Sequence, residues 1–158
     1  MLKKVFSDLD NWIHNQNNSN IKEGVPLISV CEVKVLGQMA LLEAQLNLEL
    51  IATADVDVYT NMDVTVRKKF DELLRAKGKF LDPDSSLIWM PQETEYSLFF
   101  QGKWLTALIS KPEYVLLSKA IKAPFKNIEL IRGYLALGPS RKFKALAKKY
   151  TLNLESFL

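Results

Sequence analysis

Asp55 and Asp57 alternate with apolar residues in the segment Ala52-Thr53-Ala54-Asp55-Val56-Asp57-Val58-Tyr59. In a strand, alternate side chains point to the same side, so the two carboxylates share one face at a spacing of about 6–7 Å. Ala54, Val56 and Val58 then turn toward a core, and Thr53, Asp55, Asp57 and Tyr59 turn away from it. Two carboxylates so placed converge on one hard cation. Magnesium in particular takes one or two carboxylates together with substrate phosphates. The chemistry this points to is phosphoryl or nucleotidyl transfer. An EF-hand calcium loop counted from Asp55 is excluded, because Thr60 stands where its glycine is required and Val66 where its glutamate is.

A glycine lies 18 positions before Asp55, at Gly37, where a β-branched run ending at Leu36 gives way to a helical composition. Glycine at such a junction lets backbone amides approach a phosphate. Other chemistries lack their parts. One histidine, His14, excludes a histidine-rich zinc centre and a serine–histidine triad, and His14 reads as a surface or capping residue. Cys31 stands alone, so no internal disulfide forms and a reducing cytoplasm is the expected compartment. No apolar run reaches the ~20 residues of a spanning helix, and no membrane association is expected.

The elements that must position these residues follow from periodicity. Leu2, Val5, Phe6, Leu9, Trp12 and Ile13 recur at helical spacing, and the asparagine-rich stretch 15–20 reads as a helix exit and loop. Residues 27–36 predict a strand, 38–48 a buried helix, and 51–60 the strand carrying the acids. Asp63 caps a helix with Val66, Phe70, Leu73 and Leu74 on one face, ending at Gly78. Asp82-Pro83-Asp84-Ser85 reads as a turn, followed by strands at 87–90, 95–101 and 104–110, the last two a hairpin through Gly102. Three helices follow, started by Pro112, by Lys126 and by Ser140.

This order predicts an α+β fold, a mixed β-sheet flanked by helices with a C-terminal helical segment. Residues 1–110 form the α/β core and residues 111–158 a helical subdomain packed on it. Charge divides along the same line. Residues 119–158 hold nine Lys or Arg and two acids, leaving twelve bases and sixteen acids before them. A basic end behind an acidic body suits a phosphate-bearing ligand. The stretch Arg141–Tyr150 also resembles half of a helix-turn-helix, which makes DNA binding an alternative function.

The run Leu36-Gly37-Gln38-Met39-Ala40-Leu41-Leu42, followed by Thr53-Ala54-Asp55-Val56-Asp57-Val58, resembles the minimal nucleotidyltransferase-fold proteins. These include toxin components of abortive-infection toxin–antitoxin pairs. Trp89-Met90-Pro91, Glu95-Tyr96 and Ser110–Ala120 resemble their later part, so the likeness covers about residues 30–135. The chain departs from the pattern at Gln38, Ile51 and Asn127, where the family usually has a small residue, an arginine and an acid.

The resemblance implies a nucleotidyltransferase that uses Mg²⁺, held by Asp55 and Asp57, to transfer a nucleotidyl group from a nucleoside triphosphate. The acceptor class it implies is a tRNA or a protein, and it implies an antitoxin-like partner. Gly37, Gln38, Thr53 and Lys119 are the expected nucleotide contacts. Glu95 is the expected third catalytic carboxylate, with Glu93 its alternate. An inert module of the same fold, binding nucleotide or a partner protein, is the other alternative.

Overall fold

The computed structural model describes residues 1–158 and shows an α+β fold: a five-stranded mixed sheet flanked by six helices. The strands are β1 (Cys31–Leu36), β2 (Asp55–Thr60), β3 (Phe80–Leu81), β4 (Tyr96–Gln101) and β5 (Leu105–Ser110), in the spatial order β3-β2-β1-β5-β4. β1 runs antiparallel to β2 and parallel to β5, β4 closes one edge antiparallel to β5, and β3 closes the other parallel to β2. The helices are α1 (Leu2–Glu23), α2 (Gly37–Glu43), α3 (Val64–Arg75), α4 (Pro112–Lys122), α5 (Ile128–Ala136) and α6 (Arg141–Lys149). None is long and apolar enough to cross a membrane.

One core joins all these elements. Phe6 and Leu9 of α1, Val33 and Val35 of β1, Val56 and Val58 of β2, Phe70 of α3, Leu117 of α4 and Phe143 of α6 belong to a single buried cluster. The alternation expected of β2 holds at Val56 and Val58, whereas Ala54 precedes the strand and is exposed. Two caps form as their residue types demand. The Asp63 carboxylate accepts the Val66 amide (2.9 Å), and the Ser140 hydroxyl accepts that of Phe143 (3.1 Å).

Four local expectations change. α1 does not exit at the asparagines. It continues to Glu23, because Asn17 is buried and its side-chain amide both accepts from Ile28 N (2.7 Å) and donates to Ile28 O (3.1 Å). Polar residues thus face inward there to hold the incoming chain, and β1 starts only at Cys31. α2 stops at Glu43, well before Leu48, and Gln45 takes a positive φ of 53°. Residues 87–90 form no strand. Leu87 ends a single 3-10 turn (Ser85–Leu87), residues 88–90 are irregular, and the additional strand is instead the two-residue β3.

His14 and Asp10 share a structural task at the β4–β5 hairpin. The Asp10 carboxylate accepts the amides of Lys103 (3.1 Å), Trp104 (2.7 Å) and Leu105 (3.0 Å), and His14 Nδ1 accepts the Trp104 indole N–H (3.3 Å). Groups ninety or more positions apart are thereby fastened, and a Cβ at Gly102 would collide with the Asp10 carboxylate. Asp10→Ala leaves three amides without their charged acceptor. It is expected to lower stability by about 2–3 kcal/mol in urea unfolding, with Asp10→Asn intermediate.

Candidate metal and nucleotide site

β1 delivers the chain to Gly37 opposite Asp57, since Leu36 is the cross-strand partner of Asp57. Gly37 sits at φ +63°, and a Cβ there would run into the Asp57 carboxylate. Only glycine combines that conformation with that approach. Asp55 and Asp57 share one face of β2 as expected.

A third carboxylate joins them, and it is Asp82. β3 aligns Phe80 with Asp55 and Leu81 with Val56, which carries Asp82 to the level of Asp57. The Asp82 amide donates to Val56 O (3.0 Å) and holds that register. Carboxylate oxygens of Asp55, Asp57 and Asp82 lie within 4.8 Å of one another, a group able to hold a metal ion. All three side chains are half-buried.

The carboxylates of this cluster act on one another's charge. Burial pushes the Asp57 carboxyl up to about 7, helped by a proton-bearing hydrogen bond with Asp82 and by the negative charges of Asp55 and Asp82. Lys119 pulls it the other way. Asp57 Oδ1 is buried without any hydrogen-bond partner. Asp55 is better supported: the Thr53 hydroxyl donates to its Oδ1, and Lys79 Nζ fixes Thr53 through its carbonyl (2.5 Å).

Beside Asp57 opens a cleft of about 390 Å³. Gly37 and Asp57 lie on one side, Trp89 on another, and α4 with its following turn contributes Lys119, Lys122 and Lys126. Burial, reinforced by Lys126, lowers the Lys119 ammonium, while Asp57 and Asp55 favour its charge. The Lys122 ammonium lies 5.2 Å from the centre of the Trp89 ring. Trp89 is anchored from behind, since its carbonyl accepts from the Ser118 hydroxyl (2.5 Å) and Tyr150 meets its ring edge-on at 5.7 Å.

Of the residues singled out in the sequence, Gly37, Asp57 and Lys119 meet in the cleft, and Asp55 adjoins through the cluster. Thr53 supports Asp55 and does not itself line the cleft. Gln38 turns away from it, donating its side-chain amide to Ile51 O (3.0 Å). Glu95 is not the third carboxylate. It precedes β4 at the far edge, separated from β2 by β1 and β5, about 14 Å away at ordinary strand spacing. There it accepts from Lys142 and from Lys111 (3.0 Å), which hold its carboxyl down at about 2. Glu93 is engaged as well, accepting the Tyr150 hydroxyl (2.6 Å) and pairing with Lys149 (3.3 Å).

Asp82 escaped sequence reasoning because a two-residue strand shows no alternation. The one available signal was the apolar pair Phe80-Leu81 running into an acid before Pro83. No family model matches the chain, no curated protein matches it, and no solved structure matches its fold.

Proposed function

We propose that the chain is a metal-dependent nucleotidyltransferase, with Asp55, Asp57 and Asp82 holding Mg²⁺ and the lysine-walled cleft taking a nucleoside triphosphate. The observation that carries this reading is the convergence of three carboxylates, one with a buried oxygen lacking any partner, beside three lysines in an open cleft.

The donor set fits the ion. All three donors are carboxylate oxygens, the hard donors magnesium prefers, and a cation there would favour the ionised form of Asp57, whose carboxyl is pushed up to about 7. Held by Asp55, Asp57 and Asp82, magnesium would supply positive charge to offset that of the triphosphate and would act as a Lewis acid toward the α-phosphate. The chain's own residues do the rest. Gly37 lets the main chain come close beside Asp57. Thr53, steadied by Lys79, aims Asp55. Lys119, Lys122 and Lys126 neutralise the triphosphate and the departing pyrophosphate. The acceptor hydroxyl of a tRNA or a protein forms the new bond to the α-phosphorus as the bond to pyrophosphate breaks, and its proton leaves to solvent.

Thermal melting with Mg²⁺ and each of the four ribonucleoside triphosphates tests the proposal. At about a hundred times Kd, at least one nucleotide is expected to raise Tm by about 5–10 °C. Asp57→Asn with Asp82→Asn removes the shift, and transfer of label from an α-³²P nucleotide disappears with it. A wild-type protein indifferent to every triphosphate in magnesium sinks the reading.

A further inference from the structure

We propose that a second pocket, at the uncovered edge of β2, binds the phosphate end of an organic phosphate ester through Arg67 and Ser86. β3 pairs only with Asp55 and Val56, so the remainder of β2 has no strand neighbour on that side. The Val58 amide is met there by the Ser85 hydroxyl (3.3 Å). Between that turn and α3 lies a pocket of about 470 Å³, lined by Val58, Tyr59, Thr60, Arg67, Pro83 and Ser86.

The polar groups of this pocket divide into committed and free ones. The Tyr59 hydroxyl donates to Ile88 O. The Thr60 hydroxyl donates to Glu32 O (2.8 Å) and accepts from Met62 N (3.2 Å). Arg67 is half-buried, and the acids one helical turn either side of it are engaged elsewhere. Asp63 caps α3 through Val66 N (2.9 Å), while Asp71 takes Arg75 Nε (2.7 Å) and Leu81 N (2.8 Å). The Arg67 guanidinium lines the pocket and makes no hydrogen bond or ion pair, although its charge helps to hold the Asp71 carboxyl down, and the exposed Ser86 hydroxyl has no protein partner either.

A guanidinium presents a planar fork that matches two phosphate oxygens, and a hydroxyl set apart from it reaches a third. The pocket is much larger than one phosphate group, and Pro83 with the half-buried Tyr59 adds apolar surface beside its polar groups. An ester fills that space where the free anion does not. The Ser85–Leu87 turn separates this pocket from the acidic cleft, with Ser86 lining one and Leu87 the other. The assignment therefore stands apart from nucleotidyl transfer.

Calorimetric titration without divalent cation uses ribose 5-phosphate, ribose and inorganic phosphate as probes. Ribose 5-phosphate is expected to bind, ribose not to bind, and inorganic phosphate to bind more weakly. Arg67→Gln weakens ribose 5-phosphate about tenfold or more, and Arg67→Lys, which keeps the charge but loses the fork, gives a smaller loss. Ser86→Ala weakens it about threefold, which carries the test if the arginine variants fail to fold. Asp57→Asn leaves the affinity within about twofold. Equal affinity for ribose and ribose 5-phosphate, wild-type affinity in Arg67→Gln and Ser86→Ala, no binding by the wild type, or loss of binding in Asp57→Asn each overturns the assignment. Inorganic phosphate binding as tightly as the ester overturns its organic part.

Discussion

Gly37→Ala is expected to lower stability by about 2–4 kcal/mol and to abolish stabilisation by divalent cations. Two effects add. The backbone at φ +63° lies in the left-handed region, where a side chain costs about 1–2 kcal/mol. The new methyl group also meets the Asp57 carboxylate, which sits on a strand between β1 and β3 and has little room to withdraw. Gly78→Ala separates the two contributions. Its φ is similar, +74°, but nothing lies within 4 Å of the Cβ position, so it registers the backbone cost alone. Urea unfolding of both variants measures the difference. Equal losses at the two positions would show that the glycine does not press on Asp57, and the tight geometry claimed for the site would fail.

Asp57→Asn is expected to remove the pH response of stability that Asp57 supplies and most of the response to metal. The native carboxyl titrates at about 7, against an ordinary value of 3.8. A raised value means that the folded state keeps a proton the unfolded chain has already released. The contribution of Asp57 is therefore fully present below about 4 and is lost as pH rises through 7. In chelator the wild type thus loses stability between pH 5 and pH 8 relative to the variant. The difference is about 1–2 kcal/mol, reduced from the full shift because the side chain keeps contact with water.

Asparagine removes that ionisation and can donate to Asp82, so the metal-free variant is expected to be the more stable of the two at pH 8. On the proposed function, added Mg²⁺ is expected to restore the wild type by offsetting most of the charge of its three carboxylates and to give the variant little. Chemical denaturation at several pH values, in chelator and in magnesium, measures both effects. A variant with the same pH profile as the wild type would show that Asp57 is an ordinary solvated carboxylate.

Much of the candidate site was legible because it rests on local rules. A period-two strand places Asp55 and Asp57 on one face, whatever surrounds it. A glycine between a strand and a helix marks a backbone bend before any fold is known, whereas Lys119 is expected only from the family likeness and reaches the cleft because α4 carries it there. Caps at Asp63 and Ser140 are equally local, since each side chain bonds an amide three residues on.

What the tertiary structure decided are the partners across the sheet. Asp82 joins Asp55 and Asp57 only because Phe80 and Leu81 pair in parallel beside β2, and two residues are too few to announce a strand. Glu95 has the right chemistry and a strand context, yet the order β3-β2-β1-β5-β4 places it at the opposite edge, where two lysines claim it. The asparagine-rich composition of α1 suggests a loop because polar residues usually face water, whereas bonds to Pro26 and Ile28, in the segment that leads into β1, turn Asn20 and Asn17 inward. Composition and periodicity determine which way a side chain points along its own element. Which other element it meets depends on strand order and register, set by the summed burial of residues far apart in the chain.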